Sequence, residues 1–159
     1  MIVITALCCV AVLSGCGWVR GIFGEDDPPG AEQINVFDAQ VGQCFEVPVE
    51  PRVQLSELTV LPCDQPHQRE LYALIEYVAP AGGDSSIYPG EPALAAFAEG
   101  ACAEQFADYV GISYLDSALF FTYLLPSARG WEAEPDRAIA CFVTATDRVL
   151  DTSVKGSKI

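Results

Sequence analysis

Apolar positions along the chain fall into several short runs and one long periodic segment. Ile34–Phe37 and Val41–Val47 are brief apolar stretches divided by Asp38 and Gly42, which predicts two opening strands. Pro48 and Pro51 interrupt them, and Leu58–Leu61 predicts a third strand closed by Pro62-Cys63. Asp64-Gln65-Pro66-His67 has turn composition. The apolar run Leu71–Val78 fits strand or helix by pattern, and Tyr72, Ile75, Tyr77 and Val78 favour strand. A Pro/Gly/Ser loop is expected over Ala79–Gly90.

The clearest helix is predicted over Pro92–Val110. Pro92 suits a first turn and Gly111 a stop. Leu94, Phe97, Ala101, Cys102, Phe106 and Tyr109 recur every three or four residues, giving one apolar face that turns Cys102 inward. Ala118–Leu125 reads as a strand stopped by Pro126, and Ser127–Asp136 as a loop carrying Trp131. A closing strand is expected over Ala138–Ala145, with Ile139, Cys141 and Val143 on one face. Val149-Leu150 suggests a short edge, and Thr152–Ile159 a frayed tail. The expected fold class is α+β: a mainly antiparallel sheet packed by one principal helix.

The N-terminus changes the picture from domain to export. Ile2–Leu13 is an uncharged apolar run ending in Leu13-Ser14-Gly15-Cys16, which resembles a bacterial lipobox. The expectation is a signal peptide over residues 1–15 and diacylglycerol on the Cys16 thiol, with two or more acyl chains giving lasting membrane attachment. The competing reading is a transmembrane helix continuing to Val19. Gly15 and Gly17 weaken it, and Arg20 would place the domain on the cytoplasmic side. No Lys or Arg precedes the apolar run as in an ordinary signal, which leads one to expect a true start upstream of Met1. From residue 16 to 33, glycines, Glu25-Asp26-Asp27 and Pro28-Pro29-Gly30 read as a flexible tether. A calcium site at the acidic trio lacks the alternating ligand pattern of a calcium loop. The domain itself is expected over residues 34–151, with the tail from 152 to 159.

Composition narrows the partners. All eight basic and 22 acidic residues lie beyond residue 15, so the exported part keeps the net charge of −14. Such a surface repels phosphate backbones, and nucleic acid is excluded as a partner. Of seven cysteines, Cys8 and Cys9 fall in the removed segment and Cys16 takes the lipid. Cys44, Cys63, Cys102 and Cys141 remain, an even number expected to form disulfides in an oxidising space. Spacing alone leaves all three pairings open.

Val41-Gly42-Gln43-Cys44-Phe45, then Leu61-Pro62-Cys63-Asp64-Gln65-Pro66-His67 with Glu70 nearby, resemble the actinobacterial septum-formation family domain. Tyr88-Pro89-Gly90, Cys102, Tyr109-Val110-Gly111, Tyr123 with Pro126, and Trp131 followed by Asp136-Arg137 and Cys141 fit the same pattern. The resemblance runs from Val36 to Leu150. Gln43 departs from the acidic residue common there, and Gln68-Arg69 from the usual small or acidic pair. The resemblance implies an extracytoplasmic module associated with septum formation. It also implies Cys44–Cys63 and Cys102–Cys141 pairing.

Candidate chemistry is sparse. His67 is the one histidine, four residues after Cys63 and three before Glu70. A Cys–His nucleophile would need a reduced, accessible Cys63, and a metal site would need further ligands from Asp64, Glu70 or distant acids. The preferred reading is a turn histidine bonded to Asp64 or a backbone carbonyl. No Gly-x-Ser-x-Gly elbow or phosphate-cradling glycine loop occurs. Asp64, His67, Tyr88 and Trp131 are the candidate binding or loop-structuring residues, although aromatics in a small domain usually pack. Tyr114 could line a groove in the same way. The expectation is therefore a non-catalytic binding or scaffold module with no cofactor and no resident metal, recognising an envelope protein or a cell-wall component. The opposing class is a small envelope hydrolase or metal-dependent enzyme using His67.

Overall fold

The computed structural model describes residues 28–46, 56–134 and 136–159. The expected signal, Cys16 and the expected tether up to residue 27 lie outside the described residues. Among those described, no helix is long and apolar enough to cross a membrane.

Strand β1 spans Glu32–Asn35, β2 Cys44–Glu46, β3 Glu57–Leu61, β4 Arg69–Glu76, β5 Phe120–Leu124 and β6 Ala138–Thr144. They form one antiparallel sheet in the order β1-β3-β2-β4-β6-β5. Helix α1, Glu91–Val110, connects β4 to β5 and packs across β4, β5 and β6. This is the α+β arrangement expected, held by disulfides Cys44–Cys63 and Cys102–Cys141. A short helix α2, Ala128–Ala133, replaces the loop predicted there. Ser127 caps it, its hydroxyl accepting from the Gly130 N–H at 3.0 Å. One helical turn is too short to show a period in sequence.

Alternation sorts the sheet into two faces. Ile139, Cys141 and Val143 on β6 join Leu94, Ala98, Cys102 and Phe106 of α1 in the larger core. Phe142 faces the other way and meets Phe45 edge-on at 5.6 Å, beside Leu58 and Leu71. On β4 a bulge between Leu71 and Ala73 inserts Tyr72 as an extra residue. Tyr72 and Ala73 therefore both reach the helix-side core. Strict alternation from Glu70 would have turned Ala73, Ile75 and Tyr77 away from it.

Several strand ends shift by two or three residues from the sequence-based expectation, and larger differences lie at the two ends of the domain. The tether, expected to reach residue 33, already pairs as β1 from Glu32, and Gln33 Nε2 donates to Thr59 Oγ1 at 2.7 Å. Val36 and Phe37, expected to continue the strand, belong instead to a 3₁₀ turn over Val36–Asp38, capped by the Asn35 side chain. The tail expected to fray is instead docked: Val154 is buried, Gly156 N–H bonds to Tyr109 O at 2.8 Å, and Lys158 N–H to Val110 O at 2.9 Å. These bonds satisfy carbonyls that the end of α1 leaves without helical partners. Burial of Val154 outweighs the polarity of its neighbours.

Gly111 ends α1 at φ 90°, with its N–H on Ala107 O at 2.9 Å. A Cβ there would sit 3.0 Å from Lys158 Cγ. Gly111→Ala is expected to cost about 1–2 kcal/mol by combining left-handed backbone with that contact, read as a lower denaturant midpoint at unchanged slope.

Candidate functional site

Strand pairing sets Cys44 opposite Glu70, and Glu70 opposite Val143, so all three side chains point to the helix side of the sheet. The β3–β4 turn brings Cys63 onto Cys44 and delivers His67. His67 pairs with Leu150 through two backbone bonds of 2.8 Å, the only residue of Val149-Leu150 to do so. Its ring Nδ1 contacts the Gln65 carbonyl at 2.8 Å, while Asp64 is exposed. Both His67 and Glu70 are 0% exposed.

Glu70 is the centre of a buried polar network. Its Oε1 accepts from Tyr109 Oη at 2.5 Å and from Ser153 Oγ at 2.6 Å, and its Oε2 from the Val154 N–H at 2.7 Å. Burial, reinforced by the Glu70 carboxylate, pushes the Tyr109 hydroxyl far above its ordinary value, so it remains a donor. Tyr72, raised likewise by burial, donates to Cys102 O at 2.7 Å. A carboxylate with three donors can be kept in a core that would otherwise reject it. Glu70 thus joins β4, α1 and the tail. Sequence reasoning missed Tyr109, Ser153 and Val154 as its partners, because no short-range pattern links them to Glu70.

Tyr88 and Trp131 form a second cluster. Trp131, on α2, is 3% exposed and meets Tyr77 and Tyr88 edge-on, each at 5.6 Å. Its Nε1 donates to Ser86 O at 3.0 Å, and Arg137 lies 3.7 Å above the ring. Arg137 also donates to Ser85 O at 3.1 Å and Trp131 O at 2.9 Å. These aromatics join the 79–90 loop to α2 rather than forming an exposed patch. Tyr114, by contrast, lies at the surface against Phe121. Trp131→Phe is expected to cost about 1–2 kcal/mol through the lost N–H bond and weaker cation contact, detected by thermal unfolding.

The open concave surface lies elsewhere, on the sheet face away from α1. Two adjoining clefts, each of about 500 Å³, share Phe37, Leu74, Glu134, Asp136 and Ala138. The second extends over Leu124, Pro126 and Ala140. Phe37 is 61% exposed and Leu74 46%. Burial pushes the Asp136 carboxyl up from its ordinary value, against the Ala138 N–H and Arg137, which oppose the shift. Phe37 and Leu74 were not singled out in sequence, since each sits in an apolar run whose faces only the strand register separates. Neither cleft includes His67 or Glu70.

The six-stranded sheet, its disulfides and the Cys-Asp-Gln-Pro-His turn can be set against known proteins. No curated protein matches the chain, and no solved structure does. A family model described as septum formation matches residues 41–157, from the β2 approach through the docked tail. That match covers well over half of the chain, which therefore belongs to the septum-formation family.

Proposed function

We propose that this protein is an exported lipoprotein, anchored through Cys16, whose septum-formation domain is a non-catalytic binding module of the cell envelope. The observation that carries the binding reading is the separation of its chemistry from its open surface. The one histidine is 0% exposed, whereas the clefts offer Phe37, Leu74 and Leu124 bordered by Glu134 and Asp136. An apolar floor flanked by Glu134, Asp136, Arg129 and Arg137 suits a protein segment carrying apolar and charged side chains. A hydrolase reading would need substrate to reach a ring that is fully buried beside Cys44 and Glu70. The Leu13-Ser14-Gly15-Cys16 segment and the four paired cysteines support export.

Two measurements test this reading. Mass spectrometry of membrane-extracted protein is expected to show an acylated N-terminus at Cys16; a chain beginning at Met1 without lipid would remove the anchor. Placing a photo-crosslinking residue at Leu74 in cells is expected to trap a discrete envelope partner, and Phe37→Asp is expected to abolish it without lowering the unfolding temperature. Undiminished crosslinking in Phe37→Asp would exclude the cleft as the docking surface.

A further inference from the structure

Several groups with metal-ligand chemistry meet where β2, the β3–β4 turn and β4 converge. Cys44 Sγ, a ring nitrogen of His67 and a carboxylate oxygen of Glu70 lie within 4.8 Å of one another, and all three residues are fully buried. Cys63 Sγ, bonded to Cys44 Sγ, adjoins this trio without itself lying within 4.8 Å of every member. The Gln65 carbonyl can only accept, which puts the proton of a neutral His67 ring on Nδ1 and leaves a lone pair on Nε2. That Nε2 is buried and has no hydrogen-bond partner among the described residues. A carbonyl holding one imidazole nitrogen of a ring that lies beside a cysteine sulfur and a carboxylate is the outer-shell arrangement of metal-bound histidines. Tyr109, Ser153 and the Val154 N–H orient Glu70 in the same manner.

We propose that this cluster is a zinc-class metal site masked by the Cys44–Cys63 disulfide, with Cys44, Cys63, His67 and Glu70 as its four ligands once the disulfide is reduced. Two thiolates, one imidazole and one carboxylate make a four-coordinate set for a divalent ion that tolerates soft and hard donors together. Cys63 is partly exposed whereas Cys44 is buried, so a dithiol reductant attacks Cys63 Sγ and Cys44 leaves as thiolate beside His67. The reductant's second thiol then closes its own disulfide and releases Cys63. Two electrons and two protons pass from the dithiol to the cysteine pair, and binding one divalent ion expels those two protons. The ion would join the same elements that the disulfide joins. Cys102–Cys141 has both cysteines at 0% exposure, so it stays shielded while the first pair switches. The redox state of the surroundings therefore selects which crosslink, covalent or metal, closes this end of the sheet.

The test uses the full chain in detergent micelles, oxidised or reduced by a water-soluble phosphine, which takes its oxygen from water as the disulfide becomes two thiols. Zinc is titrated in competition with a chromophoric chelator, cobalt reports coordination geometry, and near-ultraviolet circular dichroism follows the fold. Expected are one zinc per reduced chain, none per oxidised chain, two protons released, and intense tetrahedral cobalt bands. Glu70 is oriented through Ser153, so Ser153→Ala is expected to weaken binding about tenfold, and His67→Gln by about 100-fold or more. Absence of stoichiometric zinc in a reduced chain overturns the proposal, whether or not that chain keeps its fold. Equal affinity in His67→Gln overturns it too, since the zinc is then held by loose thiols.

Discussion

Glu70→Ala is expected to destabilise the domain by about 3–5 kcal/mol, the range for removing one partner from a buried charged network. The loss has two parts. Three charge-assisted hydrogen bonds disappear, and the Tyr109 hydroxyl, Ser153 hydroxyl and Val154 N–H lose the acceptor they face. The substitution should also release the tail, because Ser153 and Val154 bind β4 only through this carboxylate among the bonds described. A drop in unfolding temperature on the order of 10–15 °C is expected, with earlier hydrogen exchange at Gly156 and Lys158. Truncation after Asp151 should reproduce part of this loss, since it removes two of the three donors together with the buried Val154 side chain. An unchanged melting temperature in Glu70→Ala would show that water replaces the network at little cost.

Breaking the Cys102–Cys141 crosslink by paired alanine substitutions is expected to cost about 4 kcal/mol in the chain-entropy model, against about 3 kcal/mol for Cys44–Cys63. The order follows from sequence separations of 39 and 19 residues. Packing widens the gap. Cys102 lies on α1 and Cys141 on β6, both fully buried in the larger core, so the alanines also leave unfilled volume. Cys63 lies partly at the surface, and losing its sulfur leaves less of a void. Guanidinium unfolding of the two double variants checks the order. A larger loss from the Cys44–Cys63 pair would mean that the unfolded chain is already constrained near the helix.

The weight of Glu70 could not have been read from linear sequence, because its three donors lie 39 to 84 residues away. The apolar period of Pro92–Val110 announces α1, because a helix must bury one stripe and Gly111 must end it. The β6 alternation likewise announces which side Cys141 takes. These features repeat within a few residues, so local chemistry is enough to expose them. Tyr72 was visible as a strand residue, yet the bulge that turns both it and Ala73 inward depends on the partner strand β6. Residues 152–159 look like a loose end because they are polar and short of apolar period, and their docking rests on Glu70, 83 residues before Ser153.

The same division runs through the candidate site. The sequence by itself determined the antiparallel α+β class, the four cysteines available for pairing, and the turn that carries His67, all through composition and short-range spacing. Tertiary structure alone decided that His67 is sealed beside Glu70 and Cys44, that Trp131 packs rather than presents itself, and that Phe37 and Leu74 border an open cleft. Burial and hydrogen-bond partners at such separations are set by how the sheet and helix close on one another. No local pattern encodes that closure, because each partner is an ordinary residue until the fold brings the other within reach.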